Sequence, residues 1–253
     1  MSIEHKIERG CSLLSVTGLT KSYDQVAVVK DVKFAVNSGD VIGIIGSNGS
    51  GKSTLLHMLC GFVRPDLGQI FIEDKPVSLN HPKDGLNEGI AMLSQFPDLC
   101  PDLSVAENIF LGQEPRKHGL LTWFIDWISM HDMAVDLLRE AGNSNIPPAQ
   151  PAATLSGGQK KVVTLARLIA RNAKIVLLDE PTASLALKQK QVTMQFIKEC
   201  RKRGVAVLLI THDPEEVLEV CDRVIAIQLG KIADEFTVSP DCEEKLTKLL
   251  AFS

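Results

Sequence analysis

The sequence predicts a layered α/β fold built on a mainly parallel sheet, and three observations carry that prediction. The apolar runs VIGIIG (41–46), KIVLLD (174–179) and VAVLLITH (205–212) are short, rich in β-branched residues and end in Gly, Asp or His. Uninterrupted runs of this kind fit strands buried on both faces. Helical periodicity falls between them. Ala134, Leu137, Leu138 and Ala141 repeat at i, i+3, i+4, i+7, as do Val162, Leu165, Ala166 and Ile169, while Val192, Phe196 and Cys200 mark a further apolar stripe. Strands that alternate with helices in this way present their ligands at the carboxyl ends of the strands.

The first elements depart from that alternation. LLSVTGLTKSY and VAVVKDVKFAV have β-type composition around turn residues and predict an N-terminal antiparallel β subdomain. Tyr23, the only tyrosine, lies at the end of the first of these, and its ring can stack on adenine.

VIGIIGSNGSGKSTLLHML then reads as strand, glycine-rich turn and helix. Gly46 to Ser53 satisfies Gly-x-x-x-x-Gly-Lys-Ser in the context that this motif demands. Gly46, Gly49 and Gly51 let the backbone curl so that the N–H groups of Ser47, Asn48 and Ser50 can converge on one anion, and the following helix adds its positive end. Lys52 can reach β- and γ-phosphates, Ser53 is placed to ligate Mg²⁺, and Thr54 completes the run. This is a P-loop, and it predicts a bound nucleoside triphosphate.

Gln95, in AMLSQFPDL, follows an apolar segment; a neutral side chain there could reach Mg²⁺ or water, or be an exposed loop residue. The stretch from about 97 to 164 predicts a helical insertion, and its loop GNSNIPPAQPAA leads into LSGGQ (155–159). Ser156, Gly157, Gly158 and Gln159 look like a second phosphate cradle. Three readings are open at this point: a second ligand, no ligand, or a nucleotide held by another molecule. The segment LLTWFIDW (120–127) holds both tryptophans, Trp123 and Trp127, and is either core packing inside the insertion or a contact surface.

KIVLLDEPT ends a buried-type strand in two carboxylates. Asp179 would hold magnesium and Glu180 would polarise a water in line with the γ-phosphate, unless one of them simply caps a helix opened by Pro181. His212 closes the next strand, where a γ-phosphate contact or support for the Glu180 water is the functional reading. The tail carries Leu246, Leu249 and Leu250 as a short amphipathic helix.

Composition narrows the class further. The chain has 253 residues, 45% hydrophobic and 23% charged, ample for a core. Its net charge of −4, from 27 basic and 31 acidic residues, offers no bulk attraction for nucleic acid or anionic lipid. The six cysteines (11, 60, 100, 200, 221, 242) form no Cys-x-x-Cys pair, which fits reduced cytosolic thiols rather than zinc or disulfides. The N-terminus lacks a signal-peptide core, and no window approaches the roughly 18 apolar residues of a membrane span.

Taken together, Tyr23, GSNGSGKST, Gln95, LSGGQ, KIVLLDEPT and His212 resemble, in order and approximate spacing, the nucleotide-binding subunits of ABC transporters. The resemblance runs from about residue 13 to 235. It implies a P-loop NTPase core with a mainly parallel sheet, an N-terminal antiparallel β subdomain and a helical insertion. The division it implies is one ABC ATPase domain over 1–253, with core about 13–96 and 165–235, helical subdomain about 97–164 and tail 236–253. It also implies ATP and Mg²⁺, and a head-to-tail dimer in which LSGGQ of one copy closes over the ATP on the other, so that Ser156, Gly157 and Gly158 meet the partner's γ-phosphate. Filled LSGGQ and Glu180 positions imply two hydrolysing sites.

Ala186 departs from the family pattern, which usually has Asp there. An uncharged residue at this place, with LSVAENIFLGQEP and EEVLEVCDRVIAIQLGK, resembles cassettes that energise uptake of monosaccharides such as ribose, xylose or fructose. That branch implies membrane permease subunits, indirectly a sugar-binding protein, and a place on the cytoplasmic face of the membrane. The rival readings are a soluble ABC ATPase acting on nucleic acid or ribosomes, and a regulatory nucleotide-binding module.

Overall fold

The computed structural model describes residues 12–94, 99–117, 119, 123–142, 145–183 and 186–251. β1 (Leu14–Tyr23) and β2 (Val26–Val36) pair antiparallel, and with β4 (Leu67–Ile72) and β5 (Lys75–Val77) they form a four-stranded antiparallel sheet in the order β2-β1-β4-β5. The second sheet has six strands. Its parallel members are β9 (Arg223–Gln228), β3 (Val41–Ile45), β8 (Ala206–Ile210), β7 (Ile175–Asp179) and β6 (Ile90–Leu93), in that order, and β10 (Lys231–Thr237) adds antiparallel to β9 at the edge.

Every residue of β3, β7 and β8 is buried, which explains their unbroken apolar sequences. Successive side chains alternate between two cores. Ile42, Ile44, Ile175, Leu177, Leu208 and Ile210 face α1 (Lys52–Leu59) and the antiparallel sheet. Val41, Ile45, Val176, Leu178, Val207 and Leu209 face the helices on the other side.

Those helices include α3 (Val105–Phe110), α4 (Trp127–Glu140) and α5 (Gly157–Ala170), which pack on one another as the helical insertion. α2 (Pro82–Asn87), α6 (Leu187–Lys202) and α7 (Pro214–Val220) flank the sheet, and α8 (Glu243–Ala251) docks on α7 with Leu246 fully buried. The periodic stripe of α4 faces inward as expected, with Ala134, Leu138 and Ala141 buried. β10 was not legible as a strand. Its residues KIADEFT alternate exposed and half-buried at a sheet edge, so they lack an apolar run.

Inside the insertion, Asn108 is fully buried and acts as a staple. Its Nδ2 donates to the carbonyls of Cys100 and Ser104 (both 3.0 Å), and its Oδ1 accepts from the Cys100 N–H (2.8 Å). Arg167 of α5 donates to the Asn108 carbonyl at 2.7 Å, which ties α5 to α3.

Candidate nucleotide site

The chain leaves β3 at Ile45, turns through residues 46–51 and enters α1 at Lys52. Two positions of this turn require glycine. Gly46 has φ +148°, and a Cβ there would lie 2.0 Å from the carbonyl oxygen of Ile227 in β9. Gly51 has φ +101°, and its Cβ would lie 2.4 Å from the carbonyl oxygen of Val28 in β2. Two strands therefore press on the ends of the loop, while nothing lies within 4 Å of a Cβ built at Gly49. Ser47 and Thr54 are half-buried and Asn48 is exposed.

The donors of this loop fit a polyphosphate. Helix α1 has no side-chain cap, so its first N–H groups remain available to an anion. The Ser50 hydroxyl is buried without a hydrogen-bond partner. Lys52 is buried, and its Nζ donates to the carbonyls of Gly46 (2.7 Å) and Ser47 (2.8 Å). Burial pushes the Lys52 pKa down, opposed by the nearby charges of Glu180 and Asp179.

A hard cation fits the neighbouring oxygens. Asp179, the last residue of β7, is buried and hydrogen-bonded to Ser53. Burial raises its pKa and the Ser53 hydrogen bond works against that rise. A divalent ion here would hold the carboxylate ionised, and hydroxyl plus carboxylate is the oxygen chemistry magnesium takes.

Glu180 comes next, with φ 46°. A non-glycine residue in the left-handed region costs on the order of 1 kcal/mol or more and is held there by its surroundings. The Glu180 N–H donates to the Ile210 carbonyl (3.1 Å), and its Oε1 lies 2.9 Å from His212 Nε2. The fold thus brings together two residues 32 positions apart, because β7 and β8 are adjacent parallel strands with Asp179 opposite Ile210.

Other expected residues stand apart. Tyr23 ends β1, is 45% exposed and has Lys21 Nζ 5.6 Å from its ring centroid. Gln95 lies outside the described residues. LSGGQ opens α5 as a capping box: the Ser156 N–H donates to Gln159 Oε1 (2.9 Å), and Ser156 Oγ accepts from the Gln159 N–H (3.4 Å). Among the described residues, no hydrogen bond or ion pair joins Ser156–Gln159 to the 46–54 loop. Ser156 and Gly157 are exposed, and nothing lies within 4 Å of a Cβ built at Gly157. A Cβ at Gly158 would meet Gln189 Nε2 at 2.1 Å, and Gln189 Oε1 accepts from the Ala186 N–H at 3.3 Å. Gln189 thus packs closely against Gly158 of the LSGGQ helix while holding the Ala186 N–H.

Lys161, the second lysine after LSGGQ, is 5% exposed, and burial pushes its pKa down to about 8. The unfolded chain keeps this proton up to the ordinary value near 10.5, so between these two values the unfolded state binds more protons and stability rises with pH. Below the lower value the folded chain bears the full penalty of the buried charge, on the order of 3 kcal/mol. Lys161→Met is expected to raise the melting temperature at neutral pH, with the advantage fading once the solution is alkaline enough to deprotonate the free lysine. Identical melting curves at neutral pH would remove this account.

Sequence reasoning passed over Asn108, Thr182, Gln189, Thr211 and Glu216. Their partners are set by the fold: Thr182 meets Glu216 across 34 positions, and Asn108 meets Arg167 across 59.

The family description "ABC transporter" matches residues 29–183. The chain belongs to the ABC transporter family. As an ABC cassette it is an ATPase. It is 38% identical over 223 residues to the fructose import ATP-binding protein FrcA of Rhizobium meliloti, covering 87% of this chain and 86% of that protein. It is 32% identical over 237 residues to the ribose import ATP-binding protein RbsA of Chromobacterium violaceum, covering 94% of this chain but 46% of that protein. The cassette thus spans nearly all of one relative and less than half of the other. Among solved structures, it resembles an ATP-binding cassette of an ABC transporter in its ADP conformation (29% identity, TM-score 0.78, 96% of each chain). It also resembles a dimeric bacterial ABC transporter cassette (25% identity, TM-score 0.77, 89% of this chain and 99% of that one).

Proposed function

We propose that this cassette is the ATP-hydrolysing subunit of an importer that takes up a monosaccharide or related small solute through a separate membrane permease. The observation that carries the reading is the likeness to the fructose import protein across nearly the whole of both chains. A second copy of the chain completes each site: the Gly157 and Gly158 amides and the Ser156 hydroxyl, at the N-terminus of α5 where Ser156 and Gly157 are exposed, meet the γ-phosphate of ATP held by the other copy. The dimeric relative supports that arrangement. Two facing copies make a symmetric pair with two shared sites.

Tyr23 stacks on the adenine, the 46–54 loop wraps the phosphates, and Lys52 exchanges its loop carbonyls for phosphate oxygens. Ser53, Asp179 and Gln95 would hold Mg²⁺, which supplies positive charge to the β- and γ-phosphate oxygens. Glu180 orients and deprotonates the attacking water, and His212, in contact with Glu180, holds that carboxylate and the γ-phosphate in place. Among the described residues no helix is long and apolar enough to cross a membrane. As the likeness to import ATP-binding proteins implies, the cassette works at the cytoplasmic face through permease subunits, which receive solute from a sugar-binding protein.

Of the two readings of the tryptophan segment, the exposures favour a contact surface over core packing. Trp123 is 85% exposed and Phe124 63% in the turn before α4, and Trp127 is 50% and Ile128 77% exposed in its first turn. A cluster of this kind marks a partner surface, and the permease is the partner we assign to it. Replacing Trp123 and Trp127 with alanine is expected to leave ATP binding intact while abolishing sugar uptake in cells that depend on this system. The proposal as a whole fails if the purified cassette brings down no multi-span membrane protein and its deletion leaves uptake of pentoses and hexoses unchanged.

A further inference from the structure

Glu216 lies in the first turn of α7 and is only 4% exposed. One of its oxygens, Oε2, accepts hydrogen bonds from Thr182 Oγ1 (2.9 Å) and Thr211 Oγ1 (2.6 Å), both buried residues. The other, Oε1, faces Lys190 Nζ at 3.4 Å, and the same lysine binds Asp213 at 2.8 Å. Thr182 stands two residues after Glu180, and Thr211 immediately precedes His212. The buried carboxylate therefore bridges the two segments that carry the Glu180–His212 contact.

A carboxylate taken out of water is costly unless charge and hydrogen bonds compensate it. Capping of α7 does not call for it, because Asp213 Oδ1 already accepts from the Glu215 N–H at 3.0 Å. What Glu216 secures lies at the other end of its side chain. Thr211 donates to it while accepting from the Asp213 N–H (3.1 Å), which closes the turn that presents His212. Thr182 donates to the same oxygen from the segment leaving Glu180, whose φ of 46° needs an external hold. A cavity of about 370 Å³, lined by Glu180, Thr182, Lys190, Thr211, His212 and Glu216 among others, lies against this bridge.

We propose that Glu216 is a positioning residue for ATP hydrolysis: by gathering Thr182 and Thr211 on one oxygen, it fixes the backbone on both sides of the Glu180–His212 pair. This rests on the roles assigned to Glu180 and His212 above. A small displacement of a reacting group lowers turnover far more than it lowers ground-state binding.

The test uses the purified full-length chain with ATP and Mg²⁺ at concentrations that support dimers. Glu216→Ala is expected to lower kcat about a hundred-fold with KM for ATP unchanged. Glu216→Gln keeps an acceptor for both hydroxyls and is expected to recover most of the rate. Should Glu216→Ala fail to fold, the Thr182→Val and Thr211→Val pair removes the two donors at constant volume and leaves Glu216 with Lys190; its kcat is expected to fall roughly ten-fold or more. Parental kcat in the threonine pair, or a loss that tracks only the fraction of folded protein, overturns the proposal. Glu180→Gln is measured in parallel. If it is inactive while the threonine pair is fully active, only the role of Glu216 fails; if Glu180→Gln itself turns over normally, the assignment of the base fails.

Discussion

Glu180→Gln is expected to lower ATP turnover by about a hundred-fold or more and to leave ATP trapped between two copies of the chain. The amide keeps the shape of the side chain and can still meet His212, whose Nε2 lies 2.9 Å from Glu180 Oε1. It cannot take a proton from water, and a positioned general base contributes on the order of 10²–10⁴ to such a rate. The 46–54 loop and α1 are untouched, so binding and dimer closure persist while the step that reopens the dimer is lost. Phosphate release in steady state and size-exclusion chromatography with ATP check the two halves of the expectation. Hydrolysis at the parental rate would show that some other group activates the water.

Gly46→Ala is expected to abolish nucleotide binding while the chain still folds. The added methyl would sit 2.0 Å from the Ile227 carbonyl oxygen, which is sheet backbone and cannot swing aside. Gly46 also has φ +148°, a conformation essentially closed to alanine. The loop must therefore move off β9, and the N–H groups of residues 47–51 lose their common focus. Each misdirected donor to a charged phosphate is worth roughly 1.5–3 kcal/mol, so two of them reduce affinity by a hundred-fold or more. Titration calorimetry with ATP reads the loss, and a thermal melt confirms the fold. Parental affinity would mean that the loop does not hold phosphate.

These two variants differ in how far their effects were foreseeable from residues alone. The need for glycine at 46 and 51 is local, since strand, turn and helix are consecutive, and the motif spacing carries it. The Glu180–His212 contact depends on the pairing of β7 with β8, yet both residues end unbroken apolar runs, so their arrival at one sheet edge was readable. Tyr23 and LSGGQ were readable as pieces. What they meet is not decided within one chain: LSGGQ opens α5 with no hydrogen bond or ion pair to the 46–54 loop among the described residues. The tryptophan pair was ambiguous because Trp123 and Trp127 carry the same apolar area inside or outside. Only the tertiary structure, in which α4 turns Met130, Ala134 and Leu138 inward, leaves Trp127 and the preceding Trp123 on the surface.

By itself the sequence determined the alternation of strands and helices, the phosphate-binding turn and the acidic strand end. Each of these follows from periodicity or spacing over a few consecutive residues. The tertiary structure alone decided which polar groups meet in the interior. Glu216 looks like any helix-surface acid in PEEVLEV, and Asn108 like any polar residue in VAENIF. Their roles arise because chain segments far apart in sequence bring Thr182 to Glu216 and Arg167 to Asn108. A charge or amide removed from water takes its meaning from its partners, and partners are chosen by the fold.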